Sequence, residues 1–175
     1  MSLTPPQPPL EDGVVALRPL DERDAPAVQR ALEDSEIGRW FDNSRVSVRD
    51  VVERSSGRWE TSEAAEFAIL DGGRCVGSIW LHIGTGSRAT VGYWLLPEAR
   101  RKGLMTRALL LVTRWAFAEL GLKRIGVLAD PRNAASVNVA ERAGFTREGV
   151  LRSWADVNGE RVDHVSYSLL PADLR

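Results

Sequence analysis

Apolar positions along this chain change period several times, and each change marks an element. Residues 14–20 (Val14-Val15-Ala16-Leu17-Arg18-Pro19-Leu20) read as a strand stopped at Pro19. Asp21 can cap a helix over about 22–34, with Ala27, Val28, Ala31 and Leu32 on one face. The pattern breaks between 35 and 47, and a second helix follows from Ser47 to about 58. Short alternating runs at 66–70 and 74–83 flank Asp71-Gly72-Gly73, a hairpin signal. A strand at 91–96 leads through Pro97 and the basic turn Arg100-Arg101-Lys102-Gly103 into a helix with apolar residues at 105, 108, 109, 112, 115, 116 and 120. Gly121-Leu122 and Gly144-Phe145 have the form of helix stops with a hydrophobic contact. Between them lie a strand at 124–129 and a helix at 134–143 that Asn133 can cap, and two last runs, 146–154 and 161–169, meet at Asn158-Gly159.

The order β-α-α-β-β-β-α-β-α-β-β predicts an α/β domain with one mixed sheet and helices on both faces. The strands joined through the helices at 103–120 and 134–143 should lie close together with right-handed connections. Residues 1–12 carry Pro5, Pro6, Pro8 and Pro9, too many for regular structure, and read as a flexible segment that trails or wraps the surface of a single domain over 13–175. The break at 35–47 puts Trp40 and Phe41 in a loop, where they either fold onto the core or line a cleft.

With 23 basic and 24 acidic side chains in 175 residues, there is no global field for nucleic acid or an acidic membrane, so any anion site is local. The basic turn is one candidate. The first turn of a helix leaves backbone N–H groups unpartnered at the positive end of the peptide dipoles, and a polyanion such as a pyrophosphate fits there. The single cysteine, Cys75, permits no intramolecular disulfide and reads as a small buried hydrophobe. No apolar run approaches the ~18 residues of a membrane span, so the expectation is a soluble, cytoplasmic protein.

Arg100-Arg101-Lys102-Gly103-Leu104-Met105 resembles the acyl-CoA pyrophosphate loop, R/Q-x-x-G-x-G/A, of the GNAT N-acetyltransferases. Asn133-Ala134-Ala135-Ser136 with Ala143-Gly144-Phe145 is similar to the N-x-x-S…GF signature of the RimJ/RimL-type branch, which acetylates ribosomal-protein N-termini. Gly92-Tyr93-Trp94, Glu148-Gly149 and Asp163 fit the same branch, and the similarity spans about residues 14–170. The resemblance implies a mostly antiparallel sheet of six to seven strands in which the strand ending at Leu95-Leu96 splays from its parallel neighbour at 124–129. It implies that acetyl-CoA enters that gap as co-substrate, its pyrophosphate resting on backbone from Arg101 through Lys102, Gly103, Leu104 and Met105 to Thr106. Arg100 belongs to the same loop, Arg142 could reach a phosphate, and Asn133 could meet the pantetheine. Met105 departs from the Gly or Ala of the loop, and Ala140 stands where many relatives carry a tyrosine that protonates the departing thiolate.

Acyl transfer to an amine needs a neutral nucleophile, a polarised thioester carbonyl and a stabilised leaving sulfur. Ser136 is the candidate to hydrogen-bond that sulfur, against the alternative of a helix N-terminal role. Glu66 is a candidate base if its sheet face is apolar, and otherwise lies at a solvated edge. His82, Trp40 and Tyr93 are candidates for the acceptor site; Asp163, which precedes His164 in the last strand, reads as structural. No metal cluster emerges. The expected activity is transfer of acetyl to a primary amine, a protein N-terminus or a small molecule, by a monomer or homodimer that binds neither nucleic acid nor membrane. The alternatives are another acyl donor such as succinyl-CoA, or a CoA-binding module without catalysis.

Overall fold

The computed structural model describes residues 3–41 and 46–174. In chain order the elements are β1 (Leu10–Glu11), β2 (Val15–Pro19), α1 (Ala25–Glu33), α2 (Ser35–Trp40), α3 (Val48–Thr61), β3 (Ala64–Asp71), β4 (Arg74–Gly84), β5 (Arg88–Leu95), α4 (Leu104–Ala118), β6 (Arg124–Ala129), α5 (Ala134–Arg142), β7 (Thr146–Val157) and β8 (Glu160–Leu169). The strands form one eight-stranded sheet in the order β1-β2-β3-β4-β5-β6-β8-β7. Every neighbouring pair is antiparallel except β5–β6, which α4 connects in parallel. This is the mixed sheet expected from the pattern, with β1 as its eighth strand.

Successive residues of β3 show why the sheet carries helices on both faces. Phe67 and Ile69 enter the larger core cluster with Ile79, Leu109, Val112 and Trp115, while Ala68 between them joins Leu20, Val28 and Val52 from the α1 and α3 side. Side chains alternate across a strand, so a strand apolar at consecutive positions must be covered twice. Trp59, Phe67 and Trp115 meet in the larger cluster, Phe67 edge-on to both tryptophans at ring-centroid distances of 5.2 and 5.4 Å. Cys75 is half-buried, and burial pushes its thiol up to about 12, away from nucleophilic use.

Two elements differ from expectation. Residues 35–40, read as a loop, form the short helix α2, whose start Asp34 caps by accepting from the Ile37 N–H at 2.8 Å. Six residues hold too few turns for a helical period to register, and Gly38 in the middle lowers helix propensity further. The proline count predicts no regular structure through residue 12, yet Leu10 and Glu11 pair with Leu17 and Ala16. The prolines end at Pro9, so these two residues keep the N–H groups a ladder needs. Upstream, Leu3 is buried and its N–H donates to Ser62 Oγ at 3.0 Å.

The β7–β8 hairpin turns at Asn158 and Gly159, both left-handed, as the dipeptide predicts. Within β7 the register shifts between Leu151 and Ala155, and the Asp163 carboxylate accepts the displaced Ser153 N–H at 2.7 Å. That fixes Asp163 in a structural role. Asn158 also reaches across to α2, donating from Nδ2 to the Gly38 carbonyl at 3.1 Å.

Candidate active site

The parallel pairing of β5 with β6 runs from Arg88↔Arg124 to Val91↔Val127 and stops. Beyond it β5 stays paired with β4 as far as Leu95, and β6 stays paired with β8 through Leu128 and Ala129. The strands therefore part while each keeps its outer partner, and the β5 edge facing the gap has no strand on it from Gly92 onward. Trp80 of β4 lies across this point. A Cβ on Gly92 would sit 2.3 Å from the Trp80 ring, so only glycine lets the indole lie against β5 here. Phe41, at the end of α2, packs on the same indole with centroids 5.8 Å apart.

The gap opens into a cleft of about 670 Å³. One end is the turn before α4. Arg101 and Gly103 are both left-handed, with φ of +62° and +75°, and the chain enters α4 at Leu104. No side chain caps this helix, in contrast to α2, α3 and α5, which Asp34, Ser47 and Asn133 cap. Gly103, Leu104, Met105 and Thr106 line the cleft, and the first N–H groups of the helix take no capping side chain among the described residues, an arrangement that suits a phosphate. Arg100 acts inward instead: its guanidinium donates to the Leu95 carbonyl at 3.0 Å and to Asp34 at 3.1 Å, tying the turn to β5 and to the cap of α2.

Of the residues assigned to acyl-CoA from the sequence, Leu95, Arg100, Arg101, Gly103, Leu104, Met105, Thr106, Asn133 and Arg142 line this one cleft. Leu96 and Lys102 do not. Leu96 is buried with Ala27, Ala31 and Ile37, and Lys102 is exposed. Met105 is only 5% exposed and belongs to the core, so its side chain leaves the turn clear and the loop tolerates it. Arg142, in the last turn of α5, also lines a second cavity of about 400 Å³ beside Gly103, Thr106 and Arg107.

Ser136 lies in the first turn of α5, where its N–H donates to Asn133 Oδ1 at 3.0 Å. The hydroxyl is not used by the cap. It lies 3.0 Å from the hydroxyl of Tyr93, which also donates to the Ser136 carbonyl at 3.3 Å. Tyr93 is on the splayed part of β5, so the two hydroxyls meet across the cleft. Burial pushes the Tyr93 phenol up to about 12, with the Ser136 contact opposing. Ala140, one turn further along α5, is fully buried in the core.

The cleft also carries aromatic side chains in its lining. Trp40, Phe41 and Trp94 line it together with Glu36 and His164. Glu66 and His82 lie outside this lining. Glu66 is 5% exposed on β3, accepts from the Ser78 hydroxyl at 3.2 Å and faces Arg58 at 3.6 Å; burial raises its pKa while Arg58 and Ser78 lower it. His82, toward the far end of β4, is made less basic by burial and by Arg58. His164 is the lining residue to which the sequence alone assigns no role. Its Nδ1 is buried without a hydrogen-bond partner among the described residues, and burial lowers its pKa against the opposing charge of Asp130. Strand alternation set it opposite Val165 and Tyr167, but nothing local indicates that this face of β8 is a cleft wall.

A family model described as an acetyltransferase (GNAT) domain matches residues 15–146. YdaF of Bacillus subtilis (strain 168), named as a provisional ribosomal N-acetyltransferase, is 32% identical over 166 residues, 89% of this chain and 91% of that protein. The spermidine N(1)-acetyltransferase of Escherichia coli (strain K12) is 25% identical over 151 residues, 83% of this chain and 80% of the other. Among solved structures, Mycobacterium smegmatis RimJ in complex with CoA-disulfide superposes with a TM-score of 0.82 at 27% identity, covering 91% of this chain and 83% of RimJ. The parted strands, the uncapped helix behind a left-handed turn and these matches place the chain in the GNAT acetyltransferase family.

Proposed function

We propose that this protein moves the acetyl group of acetyl-CoA onto a primary amine by direct attack in a ternary complex, and that the amine is the N-terminus of a protein or peptide. The carrying observation is that the unpaired β5 edge, the uncapped start of α4 and the Ser136 hydroxyl face one continuous cleft. The β5 edge from Gly92 to Trp94, ahead of the Leu95 carbonyl that Arg100 holds, offers the hydrogen-bonding groups that an extended amide chain such as pantetheine takes as an added strand. Backbone N–H groups from Arg101 to Thr106 hold a pyrophosphate there, with Arg142 adding charge.

The lining bears on the acceptor. Among the described residues its carboxylates are Glu36 and Asp130, and Asp130 is already held by Arg132 at 2.7 Å. Among the described residues, one carboxylate without a partner and three aromatic walls suit a single ammonium better than a polycation. An α-amino group titrates near about 7.7–8.0, so a useful fraction is neutral at physiological pH, whereas an alkylamine near about 10.4 needs a stronger base. His164, kept neutral by burial, is the lining group placed to hydrogen-bond the incoming amine. As the amine attacks, Ser136 donates a hydrogen bond to the sulfur and stabilises the charge that collects there. The resemblance to YdaF, named for a ribosomal activity, supports an N-terminal acceptor.

The test is CoA-thiol release from acetyl-CoA with three acceptors: peptides with free N-termini, the same peptides N-blocked but carrying a lysine, and spermidine. Turnover of the free N-termini with kcat/KM at least about tenfold above the other two is expected. Turnover confined to spermidine would overturn the acceptor assignment, and no turnover with any acceptor would favour a CoA-binding module.

A further inference from the structure

We infer that Tyr93 is a positioning residue for Ser136, supplying from the opposite wall of the cleft the hydroxyl that α5 lacks at Ala140. The inference rests on the transferase reading above and assigns one more residue to its chemistry.

Three observations carry it. Tyr93 is two residues beyond the last β5–β6 pair, so its backbone borders the gap while its side chain spans to α5. Its hydroxyl is within hydrogen-bonding distance of both the Ser136 hydroxyl, at 3.0 Å, and the Ser136 carbonyl, at 3.3 Å. The Ser136 hydroxyl has no part in the helix cap, because Asn133 takes the backbone N–H instead.

A hydroxyl pair of this kind has two arrangements. In one, Tyr93 donates to the Ser136 carbonyl and Ser136 donates to Tyr93. In the other, Tyr93 donates to Ser136 Oγ, and the serine proton is released to point into the cleft. The second is favoured when an anion forms there, because each hydrogen bond in a chain polarises the next. The reaction supplies that anion: the amine nitrogen bonds to the carbonyl carbon, the carbon–sulfur bond breaks with its electron pair on sulfur, and the extra proton on nitrogen leaves to water. Ser136 donates to the thiolate and keeps its proton.

Tyr93 keeps its proton as well. Burial pushes its phenol up to about 12 and an alkyl thiol lies near about 8.5, so transfer from tyrosine to thiolate is unfavourable by roughly three thousandfold. The half-buried tyrosine therefore holds Ser136 in its donating state and does not act as the acid. Burial, which would weaken an acid, here keeps the donor permanently protonated.

Two measurements test this on the full chain. In the first, CoA is bound and its thiol titrated by thiolate ultraviolet absorbance, with no acceptor present. Wild type should lower the bound thiol pKa below that of free CoA, and Tyr93→Phe and Ser136→Ala should each lose most of that shift while binding CoA within about threefold of wild type. CoA bound with an unshifted thiol would overturn the inference and leave the transferase reading intact; failure to bind CoA would overturn both.

In the second, Tyr93→Phe should lower kcat about tenfold with KM for acetyl-CoA nearly unchanged, and the Tyr93→Phe/Ser136→Ala double variant should be no slower than Ser136→Ala alone. An aryl thioester donor, whose thiolate leaves without help, should bring Tyr93→Phe back to the wild-type rate. Independent losses in the double variant, or no recovery with the aryl thioester, would make Tyr93 a packing residue. Thermal unfolding of each variant separates these outcomes from loss of fold.

Discussion

Helices α4 and α5 both begin where a strand of the parallel pair ends, yet their first turns are finished in opposite ways. At α5, Asn133 accepts the Ser136 N–H, so the helix satisfies part of its own end and leaves a side chain for chemistry. At α4 the corresponding position is Gly103, left-handed and without a side chain, so the backbone donors are left for a ligand. The difference divides the work of the cleft. In the proposed reaction one helix end would hold the anion through its backbone, and the other would set a hydroxyl beside the reacting sulfur.

The largest way to break this contrast is at Gly103. A Cβ there meets nothing within 4 Å, so space is not the constraint; the positive φ is. A β-branched residue resists the left-handed region, by more than the ~1–2 kcal/mol of an ordinary residue, and shifts the donors with it. Gly103→Val should weaken acetyl-CoA binding about 100-fold by calorimetry while changing kcat at saturation far less. Unchanged affinity would remove the anion role of α4.

A smaller effect is expected at the other helix. Asn133→Ala removes a cap, which costs about 1 kcal/mol in urea unfolding, and it loosens the turn that holds Ser136. Its kcat should fall more than its affinity for acetyl-CoA, the reverse of the Gly103 variant. If both variants impair affinity equally, the two ends are not specialised.

The smallest effect lies away from both helix ends, at Glu66. Burial sets its folded pKa above the unfolded value, so the native state keeps a proton that the unfolded chain has already lost. Stability contributed by that group is present at low pH and declines as pH rises from the unfolded pKa through the folded one. Glu66→Gln should flatten the urea midpoint against pH over that interval just above the ordinary carboxylate range. A slope that persists would assign it to other groups.

Much of the fold was legible because it rests on local rules. Asn133 caps the helix it was read to cap, Asp21 caps the 3-10 turn Glu22–Asp24 that leads into α1, and Asn158-Gly159 closes the last hairpin. The turn from Arg100 to Thr106 was legible for the same reason, since a basic turn, a glycine and a helix start are adjacent in sequence. What escaped depends on chain segments far apart. Helix α2 was too short to carry a period, and only its position over the gap makes Trp40 and Phe41 cleft walls. Tyr93 and Ser136 are 43 residues apart, and no pattern along the chain announces that their hydroxyls meet. The character of Glu66 depends equally on Arg58 and Ser78, brought to it from α3 and β4. Arg124 and Ser168 do the same for Glu148, whose carboxyl they hold near about 2.

The central claim is that backbone, from the β5 edge and the start of α4, holds acetyl-CoA. The most direct measurement follows amide resonances of the isotope-labelled protein as acetyl-CoA is added. The account predicts that the largest shifts fall at residues 92–95 and 101–106, with little change along the outer strands β1 and β7. Saturable binding whose shifts lie elsewhere, with those two segments silent, would contradict it.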